Sequence, residues 1–202
     1  MGDTKERILE ISLQMFAQRG FSAVSIRDIC KQVGIKESSV YYHFENKQCI
    51  FDEIMDRFIS SATSMMHTLE ENVSGANGVK PEGLQAIGEY FFDKYLMDDF
   101  LNKVMRMMQI EQYGNEHVRE LYLHWLIEEP VRFQSKVFSV LMEAGILPAT
   151  DSKYCAVQFY APILYYAHKW LFAGELDEDK KAAFLKDAYS HMQQFFMGGS
   201  HV

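Results

Sequence analysis

Proline is scarce in this chain: four among 202 residues, and none before Pro81. The strongest helix breaker is thus missing from the first eighty residues, because proline withdraws a backbone donor and its ring clashes with the preceding turn. Strand-length alternation of apolar and polar residues is missing too, as are internal repeats and low-complexity tracts, which excludes sheet and solenoid readings. Cysteines number three, Cys30, Cys49 and Cys155, widely spaced and without a CxxC pair. They form neither a disulfide framework nor a zinc site, and in apolar surroundings they read as free thiols of a reducing compartment. The seven histidines are dispersed with no HExxH pair, and neither a Gly-rich phosphate loop nor a nucleophile elbow is present. Catalysis is therefore the weaker class, and no metal or cofactor is expected. No basic, apolar leader opens the chain, and Glu6 stands where a myristoylation site needs Ser or Thr. The longest apolar run, residues 154–173, is interrupted by Gln158, His168 and Lys169. It reads as a helix buried on several sides of a cytoplasmic protein, with no membrane partner.

Cations are outnumbered as well, 20 Lys and Arg against 28 Asp and Glu, for a net charge of −8. Residues 1–50 hold 7 and 6 of these, leaving 13 and 22 for the remainder, so a nearly neutral N-terminal part joins an acidic body. Such a division suits DNA binding when the few cations stand at phosphates, and it discourages adhesion elsewhere.

What is present in the N-terminal part is a pair of short helices. Ser25 followed three residues later by Asp28 has capping-box spacing, so a helix should begin there. Ile26, Ile29, Cys30 and Val33 give it one apolar face, and Gly34 supplies the left-handed residue that ends it. A second short helix turns Val40 and Phe44 inward and leaves Lys36, Glu37, Ser38, Ser39, Tyr41, Tyr42 and His43 on the other faces. Two short helices joined by a Gly-containing turn form a helix-turn-helix, whose second helix fits the DNA major groove. Hydroxyls, Lys and His can bond phosphates and base edges there. A preceding helix over residues 4–19, with Ile8, Ile11, Met15 and Phe16 as its stripe, completes a three-helix head.

The runs GFSAVSIRDICKQVGI from Gly20 and VYYHFENK from Val40 resemble the DNA-binding region of the TetR family of transcriptional regulators. Two departures stand out: Lys36 replaces the small hydroxyl that usually opens the recognition helix, and Ser38 stands where Gly is frequent. Cys30 and Val33 replace alanines in the packed face. The resemblance implies DNA contacts from Ser25, Arg27, Lys36, Glu37, Ser38, Ser39, Tyr41, Tyr42, His43 and Lys47, with Lys47 as a phosphate clamp. It also implies a ligand cavity in the body.

Beyond the head the pattern stays helical. Asn46 is placed to cap a fourth helix through Leu69, and a linker of Gly, Asn, Ser and Pro covers residues 72–82. A helix restarts near Pro81, another ends near Gly114, and a long one over residues 116–144 should kink at Pro130. Two more follow, bounded by Asp151, Gly174 and about Asp177, with Pro162 bending the first. Met65, Tyr95, Met105, Met108, Trp125, Phe133 and Tyr165 lie on helices that must converge, and flexible Met with amphipathic aromatics suits an adaptable apolar cavity. Glu111 and Glu128 read as solvated residues or as a preference for a cationic group. The last two helices are apolar on more than one stripe, which leaves a face for a two-fold partner: Leu164, His168 and Leu171 with Phe184, Ala188, His191 and Phe195.

The expectation is an all-α chain, a helix-turn-helix DNA-binding domain over residues 1–47 on a ligand-binding and dimerisation domain over residues 48–202. Its function would be that of a homodimeric, ligand-responsive repressor, released from a pseudo-palindromic double-stranded operator by a mainly apolar small molecule. The rival is a helical small-molecule-binding protein or enzyme that carries the head without using it.

Overall fold

The computed structural model describes residues 2–74 and 81–198, and among these every regular element is helical. The head comprises α1 (Gly2–Arg19), α2 (Ile26–Val33) and α3 (Glu37–His43). Then come α4 (Lys47–Ser74), α5 (Pro81–Phe91), α6 (Asp99–Glu111), α7 (Glu116–Leu123), α8 (Glu129–Glu143), α9 (Ser152–Tyr166) and α10 (Glu178–Gly198). Helix α4 continues past Asn72 to Ser74, so the expected linker is shorter at its start; residues 75–80 lie outside the described ones. No helix among the described residues is long and apolar enough to cross a membrane.

Contacts divide the chain into two compact units, Met1–Ala62 with Lys103–Tyr122 and Thr63–Asn102 with Leu123–Val202. In the first, Ile8, Leu9, Leu13 and Phe16 of α1 are buried, as are Ile50, Ile54 and Phe58 of α4 and Val104, Met105, Met107 and Met108 of α6. Two ion pairs fasten α1 to α4, Lys5 to Glu53 and Glu6 to Arg57, each at 2.7 Å, and Arg57 also meets Glu53 of its own helix at 2.7 Å. The Arg57 hydrogen bonds hold the Glu6 carboxyl below its ordinary range. At the surface such pairs contribute little singly, but Arg57 bridges two acids in one network.

The second unit is built from Met65, Met66 and Leu69 of α4, Phe91 of α5, Phe133, Val137 and Phe138 of α8, Phe159 and Tyr160 of α9, and Phe184 and Ala188 of α10. Glu70 accepts from Arg132 and, at 3.1 Å, from Lys136, tying α4 to α8; the Arg132 hydrogen bond leads in lowering its pKa.

Three helices pass into π-helical turns, at Phe92–Leu96 after α5, His124–Glu128 between α7 and α8, and Ala167–Leu171 after α9. The middle one absorbs the expected kink. Pro130 has no N–H to give to Leu126, or, in the five-residue register, to Trp125. Both carbonyls are buried and both find a phenol: Tyr95 donates to Trp125 O, and Tyr160 donates to Leu126 O at 2.9 Å. Burial pushes the Tyr95 hydroxyl well above its ordinary pKa, so it remains a donor. Asn102 joins the other two turns, its Nδ2 donating to Leu96 O at 3.1 Å and Leu171 O at 3.3 Å.

Candidate nucleic-acid interface

The capping box forms as its spacing requires. Ser25 Oγ accepts from Asp28 N at 3.2 Å, and Ser25 N donates to Asp28 Oδ2 at 2.9 Å. Ser25 hydrogen bonds lead in holding the Asp28 carboxyl below its ordinary range. Helix α2 ends at Gly34 with φ +80°, a conformation that costs an L side chain roughly 1–2 kcal/mol. Arg7 Nη2 reaches the Val33 carbonyl at 3.2 Å and satisfies one of the acceptors the helix end leaves open. Helix α3 starts at Lys36 without a side-chain cap, as expected from the missing hydroxyl, and ends where Phe44 N donates to Val40 O at 2.9 Å.

Burial divides α3 as its pattern suggests. Val40 and Phe44 are 0% and 4% exposed, whereas Tyr41 and Tyr42 are 51% and 70% exposed. Lys36, Glu37 and Ser38 are exposed beside them; Ser39 and His43 are half-buried. Exposed Ser25 and Arg27 sit on or next to α2, and Arg27 Nε donates to Glu37 Oε1 at 3.2 Å, joining the two helices across the turn. The surface therefore offers hydroxyls, phenols, a guanidinium and an ammonium, with one carboxylate already engaged.

Lys47 stands apart from these. Its ammonium donates to Phe21 O at 2.7 Å and Val24 O at 2.6 Å and lies 4.1 Å from the Phe21 ring centre. Burial lowers its pKa, against the pull of Glu111. The family resemblance gives Lys47 to phosphate; here its ammonium is bonded to the loop between α1 and α2. Glu111 also departs from expectation: it is 8% exposed, and its oxygens accept from Ser22 N at 3.1 Å and Ser22 Oγ at 2.9 Å. Ser22 is the residue of this region that sequence reasoning missed, and Glu111 is one it gave to solvent or a cationic group rather than to this loop. Gly20 is the only local signal, and by itself it marks no more than a helix end.

Of the residues assigned to a ligand cavity, Met65, Tyr95, Trp125 and Phe133 are buried in the second unit and Met105 and Met108 in the first. Tyr165 is 61% exposed, because it lies with Tyr154 and Val157 on the outer side of α9. A cleft of about 570 Å³ opens beside that side, lined by Ile127, Glu128, Val131, Arg132, Ser135, Lys153 and Val157; of these only Glu128 is offered by the sequence as an addition to the ligand site, and none of the seven residues assigned to the cavity lines it. Three residues of the expected dimer face need correction, while Leu164, His168, His191 and Phe195 are half-buried. Leu171, Phe184 and Ala188 are wholly buried within the unit, where Phe184 meets Phe92 edge-on at 5.2 Å.

A helix-turn-helix head with a solvent-facing second helix, followed by an all-helical body, defines the helical class of DNA-binding regulators. The sequence model of a family described as bacterial regulatory proteins, tetR family, matches residues 8–54. The HTH-type transcriptional repressor KstR2 of Rhodococcus jostii (strain RHA1) is 38% identical over 174 residues, covering 78% of this chain and 80% of the relative. The HTH-type transcriptional regulator YerO of Bacillus subtilis (strain 168) is 29% identical over 119 residues, 56% of this chain. The chain spans 41% of YerO's length, less than two thirds of that relative. Among solved structures, the SmeT–triclosan complex superposes with a TM-score of 0.67 at 21% identity, covering 95% of this chain and 90% of that one. SmeT is the repressor of the Stenotrophomonas maltophilia multidrug efflux pump SmeDEF. The chain belongs to the TetR family of bacterial transcriptional regulators. Members of this family are not enzymes.

Proposed function

We propose that this chain is a homodimeric repressor whose residue 1–47 head binds a pseudo-palindromic operator and whose body takes a mainly apolar small molecule. The observation that carries the reading is α3 itself: Val40 and Phe44 anchor it while Tyr41 and Tyr42 remain exposed beside Lys36, Ser38 and Arg27. Two large aromatics this exposed on a seven-residue helix are not held in the core, and their hydroxyls suit phosphates and base edges. Lys47 supports this surface from within by holding the preceding loop.

Dimerisation is supported by α9. Tyr154, Val157 and Tyr165 recur on one side of it at helical spacing, all exposed. Val157 also lines the adjoining cleft, where Glu128 and Lys153 face solvent, charges of both signs that a two-fold partner can pair. The effector's apolar character rests on the buried Met and aromatic residues, with Tyr95 contributing no free hydroxyl because Trp125 O already accepts from it. Release requires that the effector prefer a conformation in which the two heads no longer match half-sites roughly 34–36 Å apart.

The test is selection from a random duplex pool by the purified protein. The expected result is enrichment of an inverted repeat whose affinity falls steeply with salt, and release of that duplex by some members of an apolar, aromatic compound panel. Enrichment of no sequence would refute the reading and favour a body that acts without its head.

A further inference from the structure

The loop of residues 20–24 between α1 and α2 is held from two sides by residues outside it. Its acceptors, Phe21 O and Val24 O, take the Lys47 ammonium; its donors, Ser22 N and Ser22 Oγ, go to the two oxygens of Glu111. Glu111 ends α6 and is 8% exposed. Ser22 supplies a hydrogen bond to each of its carboxyl oxygens. The backbone makes room for it: Gly20 has φ +82°, and a Cβ there would collide with Glu111 Oε1 and stand 2.9 Å from Ile110 Cγ2. One residue past the loop is Ser25, the N-cap that fixes where α2 begins. Helix α2 carries Arg27, and Arg27 is bonded to Glu37 of α3.

We infer that Glu111 is a positioning residue for DNA binding: by chelating Ser22 it sets the loop from which α2 starts, and so the place of α3 within the first unit. It touches no DNA in this role. The inference rests on the reading of the head as the DNA-binding element.

Electrostatics and positioning predict opposite signs, which makes the test decisive. Removing a negative charge near a DNA-binding surface should tighten binding to every duplex. Loss of positioning should weaken binding to the duplex the unaltered protein selects from a random pool, and leave a scrambled duplex bound equally or more tightly. Glu111→Ala is expected to lose about tenfold on the selected duplex, a change of about 1.4 kcal/mol. Glu111→Gln, which still accepts from Ser22 N, is expected to recover most of that loss. Ser22→Ala, which removes only the hydroxyl bond, provides a milder variant should Glu111→Ala fail to fold; it is expected to lose about threefold, and no further loss when combined with Glu111→Gln beyond that of the weaker single variant. Affinities are taken per active head by stoichiometric titration, with circular dichroism as the folding control. If the folded variants bind the selected duplex within twofold of the parent, or bind both duplexes more tightly, Glu111 has no positioning role. If the parent itself selects no duplex, the DNA-binding reading falls first.

Discussion

Replacing Tyr160 by Phe deletes one oxygen and leaves the Leu126 carbonyl buried without its donor. In α-helical register its backbone donor would be residue 130, and Pro130 has no N–H to give. An orphaned buried acceptor costs roughly 1–3 kcal/mol, so about 2 kcal/mol is expected here. For a chain of this length that corresponds to a lowering of Tm by about 4–8 °C. The assay is urea unfolding followed by tryptophan fluorescence, on the parent and on a Pro130→Ala background. Alanine restores one N–H, which can serve Leu126 in α-helical register or Trp125 in the five-residue register, but not both fully. The costs of Tyr160→Phe and Tyr95→Phe should therefore fall on that background by a combined amount of about one hydrogen bond, roughly 1–2 kcal/mol. If both phenylalanine variants cost the same on the parent and on the Pro130→Ala background, the two hydroxyls do not compensate for proline.

Three further outcomes follow from the geometry. Lys47→Met should lower the stability of the first unit by about 2 kcal/mol, since two charge-assisted bonds to the loop are lost, as read by its urea midpoint; an unchanged midpoint with weaker DNA binding would return Lys47 to the phosphate backbone. Val157→Glu should yield folded monomers in sedimentation, whereas Ala188→Glu, which buries a charge, should unfold the second unit; a folded, dimeric Ala188→Glu protein would refute the burial of that side chain. Burial lowers the His168 pKa, so the folded state favours the neutral ring, and the associated stability is present above the unfolded value of about 6.5 and lost as pH falls through the folded one. The urea midpoint should drop between pH 7.5 and 5.5, and His168→Leu should lessen that drop.

The head was legible because its signals are local. Ser25 and Asp28, Gly34, and the i, i+4 pair Val40 and Phe44 each act within one or two turns, and the structure reproduces them. The loop contacts of Lys47 were not legible, since a cation at a helix start serves a phosphate or a carbonyl equally well. What decides is where Phe21 and Val24 point their oxygens. Glu111 sits in a sequence that reads as a solvated helix end, and its partner is 89 residues away. In α10 the apolar front is broad enough to admit several inward faces, and only packing selects Phe184, Ala188 and Met192, spaced by four. The π-helical turns had one local hint, Pro130, which suggested a kink rather than a change of register.

The first unit is assembled from two separated stretches, Met1–Ala62 and Lys103–Tyr122. A chimera made by exchanging residues 1–47 alone would bring a foreign loop up against the resident Glu111. A donor with any side chain at position 20 would strike that carboxylate, and one without a hydroxyl at position 22 would leave half of it unanswered. The transplantable piece is discontinuous, and it includes the end of α6. The same constraint bears on descent: a single crossover between the head and α6 separates residues that hold one another, so positions 20, 22, 47 and 111 are expected to change together or not at all.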